Sequence, residues 1–250
     1  MKTVAKAIAV MRTLAGEERE WGVTEVALAT SIDKVIVHRI LQAFLKEQWV
    51  SRNTQTRRYR VGPAVIQLAR GNPFRRSAIE AARPYLQLLS RATAETAFVT
   101  VRHGYSVVVA ASCESEHMVR VSSSVGNYAP LYCSATGKAF LAFEPPALLE
   151  MTIKRGLTPV SKGTITDPAR LRGAVEEIAR RGWSEEREEF HEHVCGVAVP
   201  IRGELGLVDA CIAVRGPIMR LGTGSLDALA ERTSEVATAI SRDLGYQAKL

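Results

Sequence analysis

Asp33-Lys34-Val35-Ile36-Val37-His38-Arg39-Ile40-Leu41-Gln42-Ala43-Phe44-Leu45-Lys46 is the stretch on which the fold turns. At about 100° per residue, Val37, Ile40, Leu41, Phe44 and Leu45 fall on one side of a helix. Val35, Arg39, Gln42 and Lys46 fall opposite, with Ile36 and His38 on the flanks. Asp33 is a candidate N-cap, and the helix is predicted to run to about Glu47. One side seeks a core. The other offers a guanidinium, which pairs with guanine or phosphate, and a carboxamide, which pairs with adenine. That division describes a recognition helix.

Upstream, Val4, Ala7, Ile8, Met11, Leu14 and Ala15 recur at helical spacing, and Gly16 is placed to end that helix. After the charged turn Glu17-Glu18-Arg19-Glu20, residues 24–29 are predicted as a short helix capped by Thr24, with Ser31-Ile32 as the connection onward. Two helices so joined, the second one basic, make the helix-turn-helix pattern. Downstream, residues 49–61 are predicted as a hairpin with Asn53-Thr54-Gln55-Thr56 at its tip. It carries Arg52, Arg57, Arg58 and Arg60. A basic hairpin behind a recognition helix makes a winged helix, whose wing reaches phosphates or the minor groove. The residues expected to face DNA are Lys34, Val35, Ile36, His38, Arg39, Gln42, Arg57 and Arg58.

The charge distribution supports this placement. Residues 1–76 hold 14 Lys and Arg against 6 Asp and Glu, a balance of +8, whereas residues 77–250 hold 19 against 20, a balance of −1. A small basic module joined to a larger near-neutral one suggests nucleic-acid binding at the N-terminal end. The 250 residues are 46% hydrophobic and 24% charged, which excludes a disordered or collagen-like chain. No apolar run approaches the ~18–20 residues of a membrane span, and no secretory signal is visible. Cys113, Cys133, Cys195 and Cys211 form no CxxC pair, so free thiols in the cytoplasm are expected.

Beyond the wing, Gly62-Pro63 makes a break, residues 63 to about 70 are predicted helical, and Gly71-Asn72-Pro73 makes a second break. Another helical pattern covers about residues 77–93, with Pro84 as an interruption or new start. Strands are expected over 97–103 and 106–112, joined at Gly104-Tyr105, then over 118–122, 128–131, 183–187, 194–201 and 207–215, the last stopping at Gly216-Pro217. Helices are expected over 135–143, 146–154, 168–181 and 225–244. The alternation predicts an antiparallel sheet with helices packed on it.

The run Ala29–Leu41 resembles the turn and recognition helix of IclR-type transcriptional regulators, and Tyr59-Arg60-Val61-Gly62 resembles the end of their wing. Val125-Gly126, the run Pro130–Ala142, Arg181-Gly182-Trp183, Gly196–Ile201 and Val214-Arg215-Gly216-Pro217 resemble that family's effector domain, in the same order. The resemblance implies an α+β chain: a winged helix-turn-helix (1–62), a linker helix (63–76) and a GAF-like or PAS-like effector and oligomerisation domain with an antiparallel sheet (77–250). It implies dimers or tetramers on a palindromic DNA operator, and control by a small organic acid. Val35 and Ile36 stand where the family usually has hydroxyl residues, and offer a thymine methyl packing rather than hydrogen bonds. Ala213 and Arg215 stand at alternating strand positions where the family often presents small or hydroxyl residues to the ligand.

The candidate effector-binding residues are Tyr128, Leu131, Cys133, Ser134, Ala135, Thr136, Glu189, Gly196, Ala213 and Arg215. Ser134-Ala135-Thr136 forms a turn into a helix that offers N–H groups to an anion. It is not a phosphate loop, because Tyr132 and Ala139 break that pattern. Arg215 is either a bidentate carboxylate receptor or an edge arginine paired with a glutamate. His191, His193 and Cys195 at alternate positions of a strand would share a face; with no fourth ligand identifiable, neither a metal site nor any cofactor is predicted. Cys133 is expected to be a packing residue, and no catalytic set is evident. The expected function is a ligand-responsive regulator, a repressor that senses a small organic acid such as an aromatic carboxylate. The alternatives are an enzyme with a DNA-binding appendage and a ligand-independent DNA-binding protein.

Overall fold

The computed structural model describes residues 3–15, 19–65, 73–222 and 226–247. The chain divides into two compact units, residues 1–73 and 74–250. Gly16 and most of the helix expected over 63–70 lie outside the described residues.

In the first unit, α1 (Thr3–Ala15), α2 (Val23–Thr30) and α3 (Lys34–Lys46) precede β1 (Val50–Arg52) and β2 (Tyr59–Val61). Each element contributes its apolar positions to one core. Val10 and Leu14 come from α1, Val26 from α2, Val37, Ile40 and Leu41 from α3, and Val50 and Tyr59 from the hairpin. The Asp33 carboxylate caps α3, accepting from Val35 N–H at 2.9 Å and Ile36 N–H at 3.3 Å. The cap of α2 is Gly22, not Thr24. Its N–H donates to Glu25 at 2.9 Å, so a first-turn carboxylate reaches back to do what a Thr hydroxyl was expected to do. Ser31 ends α2 in the left-handed conformation and turns the chain into Ile32, which is buried. β1 and β2 pair antiparallel, and Trp21 bonds both backbone groups of Tyr59 at 2.8 Å on the outer side.

The second unit is a six-stranded antiparallel sheet with helices on both faces. Its strands are β3 (Thr96–His103), β4 (Ser106–Cys113), β5 (Tyr128–Pro130), β6 (Ser184–Arg187), β7 (Val194–Arg202) and β8 (Val208–Pro217), in the order β5-β4-β3-β8-β7-β6. One face packs on α4 (Pro73–Thr93) and a later helix, Asp227–Asp243, through Ala82, Leu86, Leu89, Ala237 and Ile240. The other packs on α5 (Ala135–Phe143), α6 (Ala147–Lys154) and α7 (Pro168–Arg181) through Phe140, Leu141, Leu148 and Leu171. β3, β7 and most of β8 are therefore covered on both faces, which is why their sequences run nearly continuously apolar. Ile218–Leu221 forms the short α8, and Asp227–Asp243 is α9.

Three expectations are corrected. Pro84 does not interrupt its helix: α4 is continuous, and Pro84 lies on its exposed side. Pro84 gives no N–H to the ladder there, while the apolar stripe through Ala82, Leu86 and Leu89 runs unbroken past it. Residues 118–122 are not a strand. The carbonyls of Val119 and Ser122 accept from the guanidinium groups of Arg220 and Arg215 instead of joining a ladder. β8 continues through Gly216 to Pro217, since Pro217 occupies the last rung opposite Val194.

Candidate DNA-reading surface and effector cavity

In α3 the side opposite the core is free. Lys34, Val35, His38, Arg39 and Gln42 are exposed, Ile36 is half-buried, and Arg39 has no hydrogen-bond or ion-pair partner among the described residues. Val35 is 67% exposed, its apolar side chain turned away from the core of its unit. Gln42 is already engaged. Its amide donates to the Tyr59 hydroxyl at 3.2 Å and lies 3.4 Å from the His38 ring. Recognition helix and wing are thus joined through one buried tyrosine.

The two wing arginines expected to face DNA divide. The Arg57 side chain is exposed at the tip, its backbone in the left-handed region at φ 55°. Arg58 turns inward. It pairs with Glu25 at 2.7 Å and donates to the Glu20 carbonyl at 2.9 Å. The Gly22 N–H and Arg58 hold the Glu25 carboxyl below its ordinary range. Arg58 therefore fastens the wing to the start of α2. Arg52 and Arg60, by contrast, are exposed beside Arg57.

In the second unit a cavity of about 270 Å³ opens between the sheet and the N-terminal turn of α5. Its polar lining is Thr100, Asn127, Ser134, Thr136, Glu186, His191 and Arg215; Phe98, Val107, Val109 and Phe190 supply apolar walls. The register explains the arrangement. Gly196 of β7 pairs with Glu186 of β6 on one side and with Arg215 of β8 on the other, so all three point to one face. A Cβ on Gly196 would stand 2.7 Å from the Arg215 Cβ and 2.5 Å from the Val214 carbonyl oxygen. Only glycine leaves that gap open.

Arg215 lies over the Phe98 ring, 5.1 Å from its centroid, and donates to the Ser122 carbonyl. Its Nε is buried without a partner. Burial pushes its pKa down while Glu186 pulls it up. Glu186 is 4% exposed and accepts from the Ala135 N–H at 3.0 Å through Oε2. Burial pushes its carboxyl up to about 6, against the pull of Arg215 and the Ala135 N–H. The turn expected to offer its N–H groups to an external anion is therefore partly spoken for. Ala135 N–H serves Glu186, and Gly137 N–H serves the Ser134 hydroxyl at 3.1 Å.

Of the expected effector residues, Tyr128, Ser134, Ala135, Thr136, Gly196, Ala213 and Arg215 line this cavity. Leu131 and Cys133 do not. Both are fully buried in the 3-10 turn Leu131–Cys133, which packs close on α5 because Gly137 has no Cβ to strike the Leu131 carbonyl, 2.3 Å away. Glu189 also faces elsewhere, paired in the core with Lys138 at 2.5 Å. Burial pushes the Glu189 carboxyl up and Lys138 pulls it down. Sequence reasoning missed Glu186, Phe98, Thr100, Asn127, Phe190 and His191. Glu186 was hidden in a run of charges that resembles a solvated face. The premise of a His191, His193 and Cys195 cluster fails: both histidines precede β7, and Cys195 is in the core. Among the described residues no group of three or more His, Cys, Asp or Glu is placed to hold a metal. Burial raises the Cys133 thiol to about 12, so it is protonated at neutral pH.

The model for the C-terminal domain of bacterial IclR transcriptional regulators matches residues 75–242, and that for the IclR helix-turn-helix domain matches residues 3–54. This chain belongs to the IclR family of transcriptional regulators. A glycerol operon regulatory protein of Streptomyces griseus is 27% identical over 98% of this chain and 97% of its own length. The regulator Rv1719 of Mycobacterium tuberculosis is 30% identical over 81% of this chain and 78% of its own. A crystal structure of an IclR homologue from Microbacterium hydrocarbonoxydans, complexed with 4-hydroxybenzoate, superposes with a TM-score of 0.83 at 22% identity, covering 97% of this chain and 99% of that one, and so shares the fold. Within this IclR-type frame, Glu186 and Arg215 are the charged pair that defines the cavity.

The raised carboxyl of Glu186 has a pH consequence. Below about pH 4.5 it is protonated folded and unfolded alike; as pH rises through about 6 the folded protein must ionise it in the core. Stability falls across that window by about 2 kcal/mol on this account. Chemical denaturation from pH 4.5 to 7 is expected to show a shallower fall in Glu186→Gln than in the natural protein; equal slopes would remove Glu186 as the cause. On the wing, Arg57→Ala is expected to lower the salt dependence of DNA binding by about one counterion. Arg58→Ala is expected to leave that slope unchanged and lower the melting temperature of the protein. The reverse pattern in titrations over a salt series would show that Arg58, not Arg57, meets phosphate.

Proposed function

We propose that this IclR-type protein is a cytoplasmic, non-catalytic repressor that binds a palindromic operator as a dimer or tetramer and responds to a small organic acid in the cavity beside Arg215. The observation that carries the ligand reading is the buried Arg215 Nε, a cationic donor without a partner on a cavity wall. A carboxylate supplies the acceptor that the Arg215 Nε lacks, in a geometry suited to a guanidinium. The volume of about 270 Å³ suits a small ligand. The relative complexed with 4-hydroxybenzoate supports an acid of that size.

The DNA reading rests on the free side of α3 and on the basic wing. Lys34 and Arg57 suit phosphates, Arg39 suits a guanine edge, and Val35 and Ile36 suit a thymine methyl. A single winged helix reads few base pairs, so pairing two raises effective concentration and doubles the site. The effector acts only through its different affinity for the DNA-competent and incompetent states. The protonated Cys133 thiol and the regulator names of its relatives support a protein without catalysis. No helix among the described residues is long and apolar enough to cross a membrane.

Arg39→Ala is expected to weaken binding to the operator by about 1–3 kcal/mol and to relax specificity at one base pair. Fluorescence anisotropy on the operator and on single-base variants measures both, and unchanged specificity would return Arg39 to the phosphates. Arg215→Met is expected to keep operator binding while losing release by organic acids. Release that persists in the variant would overturn Arg215 as the receptor.

A further inference from the structure

Glu186 and Arg215 face one gap with opposite charges and do not meet. Each is a register partner of Gly196, so their backbones lie two strand spacings apart, on the order of 10 Å. Gly196 puts no side chain between them, and no ion pair joins them. Each retains an unused polar atom. Arg215 Nε is buried with no acceptor, and no hydrogen bond among the described residues reaches Glu186 Oε1, although Glu186 lines the cavity. Polar atoms left without partners on opposite walls of one cavity, one on a guanidinium and one on a carboxylate, specify what would satisfy both.

We propose that the cavity recognises a small zwitterion whose carboxylate is held by Arg215 and whose protonated amine, set apart by a short chain or ring, is held by Glu186. This rests on the reading above that Arg215 receives a carboxylate. A simple monoacid satisfies only half the site. It answers Arg215 and adds a second negative charge near Glu186, whose Oε1 still has no donor. The amine also cannot exchange places with the carboxylate. The Ala135 N–H at the start of α5 is already taken by Glu186 Oε2 at 3.0 Å, and an anion placed there would stand beside the Glu186 carboxylate, which favours the Arg215 end for the anion. The two strand spacings between their backbones suit a carboxylate and an amine held on a short spacer, for which Phe98, Val109 and Phe190 give apolar walls.

The test is isothermal titration calorimetry on the full-length protein at neutral pH with matched probes. 4-(Aminomethyl)benzoate is compared with 4-methylbenzoate and 4-(hydroxymethyl)benzoate, and 5-aminopentanoate with pentanoate. The expected result is binding of at least one aminoacid about tenfold or more tighter than its amine-free partner, since a hydrogen bond to a charged group is worth roughly that factor. In Glu186→Gln that preference is expected to vanish while the amine-free acid binds more tightly, the repulsion being gone. Equal or tighter binding of the amine-free acids by the natural protein overturns the zwitterion and leaves the carboxylate reading of Arg215 standing. If the hydroxymethyl probe matches the aminomethyl one, Glu186 asks for a donor rather than a cation, and the proposal fails. If no probe of either set binds, both the zwitterion and the carboxylate reading fall. The comparison of matched probes on the natural protein decides the matter even if the Glu186 variant does not fold.

Discussion

The second unit depends on one antiparallel register, Glu186 opposite Gly196 and Gly196 opposite Arg215. Slipped by one residue, either pairing would turn its charged side chain to the opposite face of the sheet and away from the cavity. The register is held by the long pairing of β7 with β8, whose other rungs place Ala198 and Ala213 on the cavity side and Val199 and Ile212 in the opposite core. Small residues on one face and branched ones on the other make the cavity and the core two sides of the same sheet.

The first unit has a comparable pivot in Tyr59. Its backbone is bonded by Trp21, its ring fills the core, and its hydroxyl accepts from Gln42 on the recognition helix. Arg58, the next residue back, fastens to Glu25 and to the Glu20 carbonyl. The wing is thus positioned from both sides, and the arginines that remain exposed, Arg52, Arg57 and Arg60, project from a fixed base. A rigid base matters for reading DNA, since phosphate contacts set register only when their spacing is held.

Two buried carboxylates a few residues apart illustrate how position decides role. Glu189 meets Lys138 at 2.5 Å and becomes part of the core. Glu186 meets a backbone N–H and lines a cavity instead, beside Arg215. Nothing in their residue type separates them.

Local chemistry made much of this protein legible from its sequence. The helical period of residues 34–46, the Asp33 cap and the basic hairpin locate the winged helix, because spacing and capping act within a few residues of one another. The apolar strand runs and the α5 turn, with Ser134, Ala135 and Thr136, were visible for the same reason, and the alternation of Ala213 and Arg215 put an arginine on a strand face. Tertiary structure alone decided which arginine of the wing is free, that Pro84 lies within a continuous helix, and that Glu186 rather than Glu189 faces Arg215. Those outcomes depend on contacts between residues far apart in the chain, Arg58 with Glu25, Glu186 with Ala135, Arg215 with Ser122. Partners so distant leave no periodicity or spacing for a sequence to display.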